Sequence, residues 1–264
     1  MKHLVVVLLI YIMACSPSRK MSTNGASSTN LFIDGKIFAT LFQRKAAEYR
    51  GLCFQAFNIA RLRVDNYKVG KKAPAIITDI DETIFDNSAY ELHQTLKGLD
   101  YEPISWYQWT GLSAADTVPG GCSFLQYAAS KRIEVFYITN REEQEKNNTL
   151  LNLQKFHFPN ADGDHLMVQH GSSSKETRRL LVSNKYDVVL MLGDNLADFS
   201  DLFDHKSVEE RSINTDRSAI EFGSRFILLP NPVYGDWESA LYKYNFRLTP
   251  SQKDSVIKNY LKSY

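Results

Sequence analysis

The stretch "IITDIDETIFDNSAY" (residues 76–90) decides the reading of this chain. An apolar, β-branched run reaches Asp79, with Asp81 two residues on and Glu82 beside it. The run has no polar alternation, the pattern of a strand buried on both faces in a parallel sheet. Charges at the carboxyl end of such a strand stand where open α/β sheets bind ligands.

The same rhythm continues outward from this strand. Residues 120–131 predict a helix and 133–139 a strand, 142–156 a helix and 165–169 a strand, 174–184 a helix, and 187–193 and 225–230 two more strands. Upstream, residues 36–66 predict a helix, because Phe38, Leu41, Phe42, Tyr49, Leu52, Cys53, Phe57 and Ala60 recur every three or four positions. The alternation implies a doubly wound, mainly parallel α/β sheet. Residues 86–118, rich in Tyr90, Tyr101, Trp106, Tyr107 and Trp109, are too long for a plain crossover. They read as a small, mostly helical cap over the sheet's carboxyl edge. Residues 202–223 are polar and charged, and read either as a second piece of that cap or as a surface loop.

The chain has 264 residues, 44% of them hydrophobic, enough for one domain of substantial core spanning residues 31–264. Its 31 basic and 30 acidic side chains form no basic block, so the composition gives no argument for nucleic-acid binding. At the N-terminus, Lys2 and His3 precede the apolar run "LVVVLLIYIMA" (residues 4–14), and Cys15 follows. Eleven residues are too few to span a bilayer as a helix and fit the core of a signal peptide. Ala14 before Cys15 resembles a bacterial lipobox, in which the cysteine is lipidated; an ordinary secretory signal cleaved nearby is the alternative. Residues 16–30 then read as a flexible tether. Cys53 and Cys122 remain, either as a disulfide or as two free thiols.

The other strand ends repeat the first. After residues 187–193 comes "GDNLADF" with Asp194 and Asp198; after 133–139 come Thr139, Asn140 and Arg141; and Lys175 opens the next helix. Each alone is an ordinary turn or helix-cap residue. Together, each after its own strand, they gather four carboxylates, a hydroxyl and two cations on one sheet edge. Carboxylates so placed repel one another and call for a hard cation; oxygen ligands with water left over favour Mg²⁺. The set suits phosphoryl transfer, with one carboxylate attacking phosphorus and a second moving the proton.

These motifs resemble those of the haloacid-dehalogenase (HAD) superfamily, and more narrowly the class C acid phosphatases, bacterial outer-membrane lipoproteins that act as 5′-nucleotidases. The family pattern D-x-D-E-T with N-x-x-Y is matched by Asp79, Asp81, Glu82, Thr83, Asn87 and Tyr90; its strand ending in N-R by "VFYITNREEQE"; its G-D-N-x-x-D-F by residues 193–199; and "LPNPVYGDWE" (229–238) is similar too. The resemblance covers about residues 36–245. It implies that Asp79 is the nucleophile and Asp81 the general acid and base. Mg²⁺ would be held by the Asp79 carboxylate, the Asp81 main-chain carbonyl and Asp194, with Asp198 acting through water or orienting the metal's shell. Thr139, Asn140 and Lys175 would bind phosphate, with Arg141 beside them. Tyr234 would stack on a nucleobase, faced by Trp106 or Tyr90 from the cap. The implied substrates are phosphomonoesters, chiefly 5′-nucleotides, and the implied place is the cell envelope, through a lipid on Cys15. A homodimer stays open. One departure is Phe85, where the family carries a smaller aliphatic residue; it is expected to alter the leaving-group pocket. Two alternatives are kept: a phosphatase-like surface lipoprotein used for ligand binding, of nucleotide or of haem. Loss of the nucleophile would mark such a binder, and Asp79 is present.

Overall fold

The computed structural model describes residues 30–261. The predicted leader, Cys15 and all of the tether except Asn30 lie outside them. Five strands form one parallel sheet: β1 (Pro74–Thr78), β4 (Glu134–Glu142), β5 (Leu166–Gln169), β6 (Asp187–Gly193) and β7 (Phe226–Leu228). Their order is β5-β4-β1-β6-β7, and every pairing is parallel. The predicted doubly wound sheet is therefore present, with β1 at its centre. Ala75, Ile76, Ile77 and Leu190 are buried, as uninterrupted apolar strands require. One apolar layer joins the sheet to α2 (Ala47–Asn66) and α5 (Gly121–Ser130) through Tyr49, Phe57, Phe124 and Leu125. The opposite layer carries Val182 of α7 (Glu176–Lys185) against Ile77, Phe136 and Met191. Helix α6 (Lys146–Lys155) completes the alternation predicted between β4 and β5.

The single helix predicted over residues 36–66 is two. Helix α1 (Leu31–Lys45) ends at Ala46, whose extended backbone (φ −74°, ψ 129°) separates it from α2. Tyr49, Cys53, Phe57 and Ala60 are buried as expected, but Phe38 and Leu41 are 72% and 51% exposed. The side of α1 that faces inward carries Phe32, Ile33, Lys36, Thr40 and Gln43.

The insertion after β1 is a cap, as predicted. A short hairpin, β2 (Phe85–Asp86) with β3 (Asp116–Thr117), closes its base, and α3 (Ser88–Thr95) and α4 (Pro103–Gly111) form its body. The cap does not stand alone. Helix α1 packs on α3 and on α10 (Pro250–Tyr260), and Phe32 and Ile33 meet Tyr242 in a separate apolar cluster. Residues 202–223 contain α8 (Val208–Arg217), which packs on α9 (Asp236–Leu241). Cys53 and Cys122 are both free thiols. Phe85 is fully buried against Phe158, with the Arg141 guanidinium 5.6 Å from its ring, so it underlies the site instead of lining the leaving-group pocket.

Candidate active site

Strand β1 delivers Asp79 to the sheet's carboxyl edge, where its N–H donates to the Leu192 carbonyl of β6 (2.9 Å). The chain then turns sharply. The N–H groups of Ile84 and Phe85 both donate to the Ile80 carbonyl (2.9 Å each), and Glu82 takes a left-handed φ of 59°. A residue with a Cβ adopts that conformation at a cost, so surrounding bonds must hold it. They do: the Glu82 carboxylate accepts from the Asn87 N–H (2.8 Å), Asn87 Nδ2 (3.1 Å) and the Tyr234 hydroxyl. At the neighbouring strand end, Gly193 is required, because a Cβ there would lie 2.4 Å from the Asp198 side chain.

The loops bring Asp79, Asp194 and Asp198 together, each offering an oxygen within 4.8 Å of the others. Lys175 Nζ donates to Asp79 Oδ1 and, at 2.7 Å, to Asp198 Oδ1. The Thr83 hydroxyl lies 3.2 Å from an oxygen of Asp79 and 3.2 Å from one of Asp194, and can donate to one at a time. Asn231 Nδ2 donates to Asp194 at 2.8 Å. Among the described residues no cationic side chain pairs with Asp194. Burial, with Lys175 opposing it and Asp198 and Asp81 adding to it, pushes the Asp79 carboxyl up to about 7. Burial, then the charges of Asp198 and Asp79, raise Asp194 well above the usual carboxylate range. Burial works against the Lys175 charge, but Asp198 and Asp79 outweigh it and raise its pKa. Two buried carboxylates and the half-buried Asp194 gather where one ammonium pairs with only two of them, so the all-oxygen set fits a hard divalent cation.

Asp81 stands apart from this cluster. Arg141 Nε lies 3.1 Å from both its carboxylate oxygens, an Arg141 terminal nitrogen reaches Oδ1 at 2.7 Å, and Asn87 Nδ2 donates to the same oxygen at 2.8 Å. The other Arg141 terminal nitrogen donates to Thr149 (3.0 Å), so the guanidinium is fixed at both ends. Trp109 Nε1 in turn donates to Asn87 Oδ1 at 2.8 Å. The cap thus anchors the residue that aims Asp81.

Asp79, Asp81, Asn140, Arg141, Lys175, Asp194, Asp198, Trp106 and Tyr234 all line one cleft of about 660 Å³. Thr139, expected to bind phosphate, is fully buried and not part of this lining; its hydroxyl accepts from the Arg141 N–H (3.1 Å). Asn140 Oδ1 accepts from Arg178 (2.9 Å). Arg178 also donates to the Thr139 and Ser174 carbonyls, joining the end of β4 to the loop before α7. Tyr90 does not line the cleft. It is 3% exposed, meets Trp106 edge to face (5.1 Å between centroids), and shares a hydrogen bond with Ser105. Residues 202–223 contribute nothing to this cleft; Asp204 and His205 border a smaller recess beside it.

Sequence reasoning passed over Arg178 and Asn231. Arg178 stands three residues after Lys175, one helical turn on, a spacing that could have drawn attention to it. It also passed over the cleft's far end, formed by Lys36, Glu91, Asp100, Glu238, Lys253 and the exposed rings of Tyr101 and Phe246. No local signal links those positions, which come from six separate segments.

The family model for acid phosphatases of the HAD superfamily, subfamily IIIB, matches residues 19–237. The structure of the class C acid phosphatase from Bacillus anthracis superposes with a TM-score of 0.86 at 39% sequence identity, covering 89% of this chain and 100% of that one. The same enzyme with tungstate bound gives 0.85 at 38% identity, again over 89% and 100%. Agreement of this extent, over the very strands and loops that carry the aspartates, places the chain in the HAD superfamily, subfamily IIIB: it belongs to the acid phosphatases.

Proposed function

We propose that this acid phosphatase is a Mg²⁺-dependent 5′-nucleotidase of the bacterial envelope, anchored through a lipid on Cys15 and working through an aspartyl-phosphate. The observation that carries the reading is one cleft with the aspartate cluster at its floor and aromatic rings, Trp106, Tyr234, Tyr101 and Phe246, on its walls.

Asp79 and Asp194, with the Asp81 main-chain carbonyl, would hold Mg²⁺, and Asp198 would order its surroundings. Bound there, the cation supplies positive charge to the phosphate oxygens and to the carboxylates. Lys175 and Asn140 line the same cleft and would bind the phosphate oxygens. The Bacillus anthracis enzyme binds tungstate, a tetrahedral oxyanion like phosphate. An Asp79 carboxylate oxygen bonds to phosphorus as the ester oxygen departs, taking a proton from Asp81. An alcohol leaves, and Asp79 carries the phosphoryl group. A water then gives its proton to Asp81 and attacks phosphorus, releasing phosphate and restoring Asp79. Arg141 and Asn87 hold Asp81 where both transfers need it.

The test is phosphate release from AMP, nicotinamide mononucleotide and a small aliphatic phosphate ester, with and without EDTA and with Mg²⁺ restored. Nucleotides should be preferred, and activity should vanish with chelation and return with Mg²⁺. Full activity in EDTA would overturn the metal assignment, and preference for the aliphatic ester would overturn the nucleotidase assignment.

A further inference from the structure

At the far end of the cleft, five separate segments place charged side chains on one wall: Lys36 from α1, Glu91 from α3, Asp100 from the α3–α4 loop, Glu238 from α9 and Lys253 from α10. The three carboxylates outnumber the two ammonium groups. Lys36 Nζ lies 2.9 Å from Asp100 and 3.6 Å from Glu238, and Lys253 Nζ pairs with Asp100 and, at 3.7 Å, with Glu238. Both lysines are thereby engaged with the same two acids.

Glu91 is the one left over. It is 4% exposed, and among the described residues its carboxylate receives no hydrogen bond and joins no ion pair. Burial pushes it up to about 7, with Lys36 opposing and Asp100 and Glu238 adding to the shift. A buried carboxylate without donors is costly, and buried polar groups almost always find partners. This one opens onto a substrate cleft, so the partner it suits is a ligand with O–H donors.

We infer that Glu91 determines leaving-group specificity: its carboxylate accepts hydrogen bonds from the vicinal hydroxyls of a ribose while Tyr234 takes the base. This rests on the nucleotidase reading, which supplies the ribose. The geometry suits it, because Asp79, Tyr234 and Glu91 line one and the same cleft, so a phosphate at Asp79 leaves its nucleoside within reach of that lining. A carboxylate acceptor also discriminates by sign, favouring neutral polyhydroxyl leaving groups and opposing anionic ones.

The experiment compares kcat/KM at pH 8, where Glu91 is ionised, for AMP, 2′,3′-dideoxy-AMP and phenyl phosphate in the full chain and in Glu91→Gln and Glu91→Ala. A hydrogen bond to a charged acceptor is worth about tenfold or more in rate constant. The parent should therefore prefer AMP to its dideoxy analogue by about that factor. Glu91→Gln, which keeps an acceptor without the charge, should narrow the ratio, and Glu91→Ala should bring it close to one. A parent ratio near one, or a ratio unchanged in Glu91→Gln, overturns the inference while a preference for nucleotides over phenyl phosphate leaves the nucleotidase reading standing. If the parent prefers phenyl phosphate to both nucleotides, the nucleotidase reading falls and this inference with it. The parent comparison and the isosteric Gln variant decide the matter even if Glu91→Ala does not fold.

Discussion

Arg141 grips Asp81: its Nε is 3.1 Å from both carboxylate oxygens and a terminal nitrogen is 2.7 Å from Oδ1. Both groups sit at neighbouring strand ends, and the guanidinium is 3% exposed. Such a fork holds a carboxylate in one plane as a lysine cannot. Arg141→Lys should therefore lower kcat for an alkyl phosphate by about ten- to a hundredfold, the usual worth of a general acid in poor position. The loss should be smaller for p-nitrophenyl phosphate, whose leaving group departs without a proton. Equal losses on both esters would show that Arg141 serves phosphate binding and not the proton.

Tyr234 has two parts with separable jobs. Its hydroxyl donates to the buried Glu82 carboxylate, and its ring lines the cleft. Removing the hydroxyl deprives a buried acid of a donor, so Tyr234→Phe should cost about 1–3 kcal/mol in stability. The ring survives, and with it the preference for nucleotides. Tyr234→Ala should also raise KM for AMP, since stacking is worth about 1–3 kcal/mol per base, and leave a small aliphatic ester nearly unaffected. A Phe variant that loses nucleotide preference as fully as the Ala variant would contradict stacking by the ring.

His165 predicts a pH effect away from the site. Its ring nitrogens lie 2.8 Å from Glu134 and 2.8 Å from Asp162. Burial opposes its charge, but the hydrogen bonds to Asp162 and Glu134 outweigh burial and raise its pKa above the histidine value. A group raised on folding stabilises the fold fully below its unfolded pKa, and that stabilisation is lost as pH rises through the folded value. Melting temperature should therefore fall as pH rises above the ordinary histidine value of about 6.5, and fall less in His165→Gln. Parallel curves for the two proteins would show that His165 is not the group responsible.

The sheet was legible because its strands are buried on both faces, and Ile76, Ile77 and Leu190 announce this without interruption. The aspartates were legible for the same reason, standing where those runs stop. Helix α1 was not, because its inward side carries Thr40, Lys36, which pairs with Asp100, and Gln43, which donates to Glu82 and Asp86, while Phe38 faces outward. A hydrophobic stripe cannot report a buried face made of polar groups. The aromatic pair was half legible. Spacing within residues 86–118 identifies a cap, but only packing decides that Trp106 reaches the cleft and Tyr90 lies beneath it.

The proposed anchor has its own test. Cys15→Ser removes the thiol that would carry lipid, so palmitate labelling should be lost and uncleaved precursor should accumulate. Undiminished labelling would place the lipid elsewhere or refute it.

The central claim is that Asp79 attacks phosphorus. The most direct measurement is acid quenching during turnover of a phosphomonoester labelled in its phosphate, followed by location of the label. The account predicts an acid-stable, alkali-labile phosphoryl group on the fragment that contains Asp79, and none in Asp79→Asn, which should remain folded and inactive. An Asp79→Asn protein that keeps more than about a tenth of the parent rate, a barrier change under about 1.4 kcal/mol, would contradict it.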